Sequence, residues 1–318
     1  MERNKWLIIV IGILCVLLTI DIVASFYFYN LAIKRGPKDF LQGNKDLEVS
    51  AQAMEEFTAG SWRDWVADQS FEEMELTSFD GLKLQGYFLE AQEPSDRLVI
   101  LAHGYLGHAK QMGLYGKYYY EQLGYNIFMA DARGHGQSEG DYYGFGWHDR
   151  LDLIAWTDKL IDRLGPDIDI VFHGLSMGAA TVLMASGEDL PEQVQAIVAD
   201  SPYSSVHELF AFQMKRMFHL PSFPVLDSTS VVANIRADYS FKEASAMEQV
   251  KKAAVPILYI HGNNDTFVPA DMARKLYENT KSDAEIMTVD DANHGESFVI
   301  AKEQYIKKLH AFLDQYVQ

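Results

Sequence analysis

The chain has 318 residues, which is enough for one large domain or two modest ones with a sizeable core. It is 48% hydrophobic and 13% aromatic, which excludes a disordered chain. The net charge of −18 disfavours nucleic-acid binding because an acidic surface repels phosphates. The lone cysteine, Cys15, excludes disulfides and cysteine-based zinc sites.

The first predicted element is a membrane anchor within residues 1–35. Residues 6–28 are apolar apart from Thr19, Asp21 and Ser25, and a helix of this length spans about 34 Å, enough for a hydrocarbon layer of about 30 Å. A cleaved signal peptide is the alternative, but the apolar run is too long and no small-residue cleavage site follows it. Basic residues flank both ends, so the charges do not set the orientation. The short N-terminal tail before a long domain favours an extracytoplasmic domain.

A polar, partly helical connector is expected over residues 36–70. From residue 71 to 318 strands and helices alternate. Asp80-Gly81 lies between two alternating runs and predicts a hairpin with a two-residue turn. The later predicted strands are short and apolar: 97–103, 125–131, 167–173, 195–200, 255–261 and 284–290. Such strands, separated by helices, predict an α/β fold with a mostly parallel, doubly wound sheet covered on both faces.

Residues 203–250 interrupt this alternation and are predicted to form a small helical cap over the sheet edge. The segment is rich in large apolar side chains, namely Phe210, Phe212, Met214, Met217 and Phe218. Two interpretations remain open. These side chains line a pocket for an acyl or aromatic group, or they only pack the cap onto the sheet.

Ser176 is the candidate nucleophile, since it lies in Gly174-Leu-Ser-Met-Gly178 directly after a predicted strand. The two glycines allow a sharp strand-to-helix turn that holds the serine exposed. The start of the following helix favours a developing negative charge. A serine between two glycines also occurs by chance, so the assignment depends on finding a base, an acid and an oxyanion site.

His294 is the candidate base because it follows the last strand, precedes the last helix and fits the chain order of such sites. Asp265 follows the preceding strand and is the candidate partner that orients the imidazole. Other histidines near strand ends are His103, His108, His135, His173 and His261. The rival acids are Asp290 and Asp291, in the same loop as His294, and Asp200, for which a structural role is expected.

An acyl-transfer site also needs donors for the tetrahedral oxyanion. The glycine turn after the strand at 97–103 places the backbone N–H of Tyr105 where it can converge with that of Met177. These two N–H groups are the candidate oxyanion hole.

Together these segments resemble the α/β-hydrolase superfamily, over roughly residues 71–318. The motifs are HGYLGH, DARGHGQSEG, GLSMG, HGNNDTFVP and NHGES, in family order from residue 103 to about 297. The chain is most similar to the lysophospholipase, feruloyl-esterase and serine-aminopeptidase-like branch. The resemblance implies Ser176 as nucleophile, His294 as base, Asp265 as its partner, and the Tyr105 and Met177 N–H groups as the oxyanion hole.

The expected function is therefore that of a membrane-anchored serine hydrolase that cleaves carboxylic esters or thioesters through an acyl-enzyme, with a small-molecule or lipid-like acyl substrate. Neither a metal nor a cofactor is expected. Ala179 stands where peptidase members often have another glycine, which favours esters. The alternatives are a peptidase or amidase with the same triad, and a non-catalytic membrane-tethered binding module.

Overall fold

The structure, a computed structural model, describes residues 2–38 and 49–317. Within them, eight strands form one sheet in the order β1-β2-β4-β3-β5-β6-β7-β8. The strands are β1 Glu72–Thr77, β2 Lys83–Leu89, β3 Arg97–Ala102, β4 Asn126–Ala130, β5 Asp169–Leu175, β6 Val194–Asp200, β7 Ile257–Gly262 and β8 Ala284–Val289. β2 is antiparallel to β1 and β4, and the other pairs are parallel. The predicted mostly parallel sheet is confirmed.

Helices cover both faces of the sheet, as the apolar strands require. The helices are α1 Glu2–Phe28, α2 Ala51–Ala59, α3 Ser61–Asp68, α4 Gly113–Leu123, α5 Asp149–Leu164, α6 Met177–Ala185, α7 Val206–Phe218, α8 Val225–Ala237, α9 Ala246–Val250, α10 Ala270–Asn279, α11 Ser297–Ile300 and α12 Lys302–Tyr316. One buried cluster includes side chains of α5, α6 and α8, and the other includes side chains of α4 and α12. The central strands are buried on both sides, which explains their continuous apolar sequence.

The predicted hairpin forms, but its loop is longer than the two-residue turn expected. The last pair of the β1–β2 ladder is Thr77 with Lys83, which leaves residues 78–82 in the loop. Ser78 organises this loop, because its Oγ accepts from the Leu82 N–H at 2.8 Å and donates to Asp80 at 2.5 Å. Both residues of the Asp-Gly pair take part in this longer loop, since Asp80 accepts the Ser78 hydrogen bond and Gly81 has a positive φ of 90°.

The N-terminal helix is docked directly on the domain. α1 continues into a π-helical turn, Tyr29–Ile33, and the Ile33 carbonyl accepts a hydrogen bond from the Tyr143 N–H at 2.8 Å. The Arg35 guanidinium donates to three carbonyls of the loop 136–140 at 2.9 to 3.2 Å. By length and composition, Arg3–Ile33 is the segment of the described chain that is able to cross a membrane.

The connector predicted over residues 36–70 contains α2 and α3, and its residues 39–48 lie outside the described part of the chain. Trp62 and Trp65 are buried against the face of the sheet that carries α4 and α12. In the segment predicted as a cap, α7, α8 and α9 lie between β6 and β7. α7 and α8 contribute side chains to the cavity beside Ser176, at the carboxyl ends of the parallel strands, whereas α9 packs on α6 and α10.

Candidate active site

Ser176 occupies a strained turn between β5 and α6. Its φ of +56° and ψ of −111° lie in a region that a non-glycine residue rarely adopts. A Cβ on Gly174 would overlap the backbone of Gly178, and a Cβ on Gly178 would overlap the carbonyl of Ala102. Both glycines are therefore required by close backbone approach, and the turn presents the serine hydroxyl above the sheet.

The structure brings Ser176, His294 and Asp265 together. His294 Nε2 lies 2.7 Å from Ser176 Oγ, and His294 Nδ1 lies 2.7 Å from Asp265 Oδ2. The second carboxylate oxygen of Asp265 accepts from the N–H groups of Phe267 and Val268, at 2.8 and 2.7 Å. These bonds fix the carboxylate, which in turn fixes the imidazole with Nε2 facing the hydroxyl.

The electrostatics of the pair suit a base at His294. Burial acts to raise the pKa of Asp265, but the adjacent His294 and the hydrogen bonds from His261 and His294 outweigh it and hold the pKa well below its ordinary value. Burial acts to lower the pKa of His294, and the Asp265 carboxylate outweighs it, so this pKa is raised. Asp265 therefore remains an anion that stabilises the imidazolium formed when His294 takes a proton.

The two candidate oxyanion donors lie on either side of Ser176. Tyr105 follows Gly104 in the loop after β3, and a Cβ built on Gly104 would lie 3.4 Å from Ser176 Cβ. Met177 is the first residue of α6, where a backbone N–H has no partner within the helix. Within the described residues neither N–H donates a hydrogen bond, and both residues line the cavity next to Ser176. The arrangement leaves both donors available to an incoming oxygen atom.

The loop that carries Tyr105 is braced by two buried histidines. His103 Nδ1 donates to the Gly104 carbonyl at 2.8 Å, and its Nε2 accepts from the Ala132 N–H at 3.0 Å. His135 Nε2 accepts from the Leu106 N–H at 3.3 Å, and burial lowers the pKa of His135 to about 3. The two imidazoles therefore hold in place the loop that carries Tyr105.

The rival acids contact other groups. Asp290 Oδ1 accepts from the Asn263 amide at 2.6 Å, and Asp291 is exposed at a positive φ of 60°. Asp200 is fully buried and accepts from Tyr115, Tyr305 and Ser201. None of these four hydrogen bonds involves His294.

The remaining histidines lie apart from the serine. His173 is a buried residue of β5, and its ring lies between the hydroxyls of Tyr119 and Tyr305. His108 precedes the short turn at Ala109–Met112. His261 was not assigned a role from the sequence, but its Nε2 lies 3.1 Å from Asp265 Oδ2 and 2.9 Å from the Val268 carbonyl. His261 therefore supports the carboxylate that faces His294.

An apolar cavity of about 800 Å³, counted to its open mouth, adjoins Ser176. Of the five apolar cap residues considered from the sequence, four line this cavity: Phe210, Met214, Met217 and Phe218. Phe212 instead packs near the Arg216 guanidinium, 5.9 Å from its ring centroid. No charged side chain lines the cavity within the described residues.

Part of the cavity wall was missed by sequence reasoning. Phe28, Leu31 and Ala32, from the end of the predicted anchor, line the cavity beside the cap. The Tyr105 hydroxyl donates to the Ala32 carbonyl at 2.8 Å, which links the anchor to the candidate oxyanion loop. No local pattern distinguishes these residues from the rest of an apolar helix, so the sequence held no signal for this role.

Glu296 is a second residue that sequence reasoning missed. It is almost fully buried, and its carboxylate accepts from the Asn293 N–H at 3.1 Å and the Ser50 N–H at 2.7 Å. It thereby ties the loop that carries His294 to the start of α2. Its place in the NHGES motif was the available signal.

No cluster of three or more His, Cys, Asp or Glu side chains suited to a metal ion occurs among the described residues.

Comparison with known proteins yields one family and several relatives. The model of the prolyl oligopeptidase family matches residues 114–318. The uncharacterised protein YqkD of Bacillus subtilis (strain 168) is 29% identical over 255 residues, which cover 77% of this chain and 82% of YqkD. The lysophosphatidylserine lipase ABHD12 of Danio rerio is 32% identical over 161 residues, 49% of this chain and 40% of the lipase.

Among solved structures, the Pyrococcus furiosus esterase Pf2001 matches with a TM-score of 0.62 and 26% identity, covering 79% of this chain and 92% of the esterase. The predicted α/β-hydrolase fold is therefore confirmed.

Proposed function

Because this chain belongs to the prolyl oligopeptidase family and is a serine hydrolase with the α/β-hydrolase fold, we propose that it is a membrane-anchored esterase for lipid-like acyl esters or thioesters. The observation that carries the proposal is the uncharged cavity beside Ser176, bounded by the cap and by the end of the N-terminal helix. An apolar wall of this kind binds an acyl chain by removing it from water.

The proposed reaction proceeds through an acyl-enzyme. Ser176 Oγ attacks the ester carbonyl while His294 Nε2 takes the hydroxyl proton, and the new oxyanion accepts hydrogen bonds from the Tyr105 and Met177 N–H groups. The tetrahedral intermediate collapses, and His294 returns the proton to the departing alkoxide or thiolate. Water, deprotonated by His294, then attacks the acyl-enzyme, and the second tetrahedral intermediate collapses to the acid as His294 returns the proton to Ser176 Oγ. Asp265 remains ionised throughout and stabilises the imidazolium.

The polar groups at the cavity wall do not provide a site for a charged substrate end. The hydroxyls of Tyr105 and Tyr203 donate to the carbonyls of Ala32 and Phe145. The Gln213 amide donates to a backbone carbonyl of the loop after β7. A peptide with a free amino terminus needs an acidic partner in a desolvated site, whereas a fatty acyl chain needs none. The lining therefore favours acyl esters over such peptides.

The second candidate is a peptidase or amidase with the same residues in the same roles, which the family description favours. To separate the two, purified full-length protein is assayed with p-nitrophenyl acetate, butyrate and decanoate beside aminoacyl and prolyl p-nitroanilides. The proposal predicts ester hydrolysis that improves with chain length. Faster turnover of a p-nitroanilide than of every ester would replace the esterase by the peptidase. The Ser176→Ala variant is the blank for both.

Anchoring by Arg3–Ile33 and an extracytoplasmic catalytic domain complete the proposal. Basic residues flank both ends of the helix, so the proposed orientation does not rest on charge. Added protease reaching the domain in intact cells would support this orientation, and protection that is lost only after lysis would reverse it.

A further inference from the structure

Four large apolar side chains are exposed on the cap next to the N-terminal helix. They are Leu220, Phe223, Val231 and Ile235, here called the cap rim. Phe223 and Ile235 are 73% and 78% exposed. Leu220 and Phe223 lie in the loop between α7 and α8, and Val231 and Ile235 lie four residues apart, on one face of α8. Exposed apolar side chains that form a patch mark a contact surface.

The cap rim belongs to elements that pack along α1. Ser228 Oγ donates to Asp21 Oδ2 at 2.6 Å, and the Arg236 guanidinium lies 5.7 Å from the ring of Phe26. Phe26 follows Asp21 in α1, and its partner Arg236 follows Ser228 in α8, so the two helices run in the same direction. The start of α8, and the loop before it with Phe223, therefore point toward the N-terminal, apolar part of α1.

The position of Asp21 in α1 determines how deep the Asp21–Ser228 hydrogen bond lies in a bilayer spanned by this helix. Asp21 lies fifteen residues after Trp6, the first residue of the apolar run, which corresponds to about 22 Å along the helix axis. The hydrocarbon layer is about 30 Å thick. If the layer begins near Trp6, the Asp21–Ser228 hydrogen bond lies about 8 Å inside it. The start of α8 then lies below the surface of the bilayer.

We propose that the cap rim inserts into the leaflet that surrounds the C-terminal half of α1, so that the bilayer is the partner of this surface. The inference rests on the proposed anchoring of α1. It gives Asp21 a physical role, since an acidic side chain in a membrane span requires a partner and Ser228 of the cap supplies one. The ring of Phe218 lies 5.0 Å from that of Phe28, and both line the cavity. Phe28 lies twenty-two residues after Trp6, about 33 Å along the helix axis, so the cavity wall lies at the surface of the hydrocarbon layer, where the ester group of an amphiphile in that leaflet is found.

The test uses full-length protein in phosphatidylcholine vesicles and a fluorophore quenched by dibrominated phosphatidylcholine. Native Cys15, labelled with nitrobenzoxadiazole, reports insertion of the anchor. In a Cys15→Ser background the same label is placed by Phe223→Cys or, separately, by Ile235→Cys. Gln304→Cys on α12, at an exposed position of the opposite face of the domain, is the matched control.

The proposal predicts that brominated lipid quenches the label at Cys15 and the label at residue 223, quenches the label at residue 235 more weakly because Arg236 lies at the level of Phe26 near the surface of the layer, and leaves the label at residue 304 unchanged. Quenching at Cys15 without quenching at either cap position would overturn the inference and leave the proposed esterase intact. No quenching at Cys15 would overturn the anchoring and the inference together.

A second measurement links the surface to substrate uptake. The double variant Phe223→Asp/Ile235→Asp is expected to hydrolyse a long-chain monoacyl ester embedded in vesicles at least about tenfold more slowly. Burial of each apolar side chain in the bilayer is expected to strengthen binding to the vesicle by about tenfold, and the variant loses that contribution. Hydrolysis of p-nitrophenyl acetate by this variant is expected to be unchanged. Equal rates on vesicle substrate for variant and parent would overturn the inference. Absence of acetate hydrolysis in the parent itself would instead refute the proposed function.

Discussion

Replacing Asp265 by Asn tests the roles proposed for the triad more sharply than removing it. The side chain keeps its shape, but the backbone N–H groups of Phe267 and Val268 both donate to Oδ1 of the present carboxylate. The amide oxygen must occupy that position, since turning it away leaves two buried N–H groups unpaired at about 1–3 kcal/mol each. The amide NH₂ group then faces His294 Nδ1.

The consequence is the wrong tautomer of the base. With a donor opposite Nδ1, that nitrogen becomes the acceptor and the ring hydrogen moves to Nε2, which lies 2.7 Å from Ser176 Oγ. An Nε2–H group cannot take the serine proton. The corresponding change in a serine protease lowers kcat by about 10⁴, which corresponds to about 5.5 kcal/mol of activation free energy.

The assay is steady-state hydrolysis of p-nitrophenyl acetate by Asp265→Asn, with Asp290→Asn as the matched control. Asp290 is an exposed carboxylate in the loop of His294, and the sequence left it open as a rival. We expect kcat to fall by about 10⁴ in the first variant with KM little changed, and to stay within about twofold in the second. A loss of less than tenfold for Asp265→Asn, or an equal loss in both variants, would refute the reasoning.

Three further predictions follow from the same geometry. The raised pKa of His294 keeps more of the imidazole protonated at neutral pH, so kcat/KM is expected to rise with pH through a midpoint above the ordinary pKa of 6.5. A midpoint below 6.5 in the pH–rate profile would contradict a raised pKa. Leu31→Trp fills the cavity and is expected to lower kcat/KM for the decanoate ester at least about tenfold while acetate hydrolysis stays unchanged. Leu18→Trp, at an exposed position of α1, is the control, and equal losses on both esters would contradict the acyl-chain assignment. Gly178→Ala drives a Cβ into the Ala102 carbonyl and is expected to destabilise the fold by about 1–3 kcal/mol, and an unchanged thermal midpoint would contradict the tight elbow.

The sequence was most informative where local chemistry determines local structure. The apolar runs before Ser176 and Asp265 predicted β5 and β7, and the positions of both residues follow from the rule that functional groups lie at the carboxyl ends of parallel strands. His294 was selected by its place after the last strand, and the structure puts it within hydrogen-bonding distance of both partners.

The features that the sequence did not predict depend on contacts between distant segments. Ala32 accepts a hydrogen bond from Tyr105, 73 residues later, and Asp21 accepts one from Ser228, 207 residues later. In the sequence Asp21 was only an acidic residue within a membrane span. Glu296 joins two segments 246 residues apart. Such pairs are fixed by the packing of whole elements, which no local pattern encodes.

The central claim, that Ser176 is the nucleophile, is tested most directly by labelling folded full-length protein with a fluorophosphonate and identifying the modified peptide by mass spectrometry. The account predicts a single adduct on the peptide that contains Ser176, no adduct in Ser176→Ala, and nearly equal thermal midpoints for the two proteins. No labelling of the folded parent would favour the non-catalytic binding module, and persistent labelling of Ser176→Ala would assign the nucleophile to another residue.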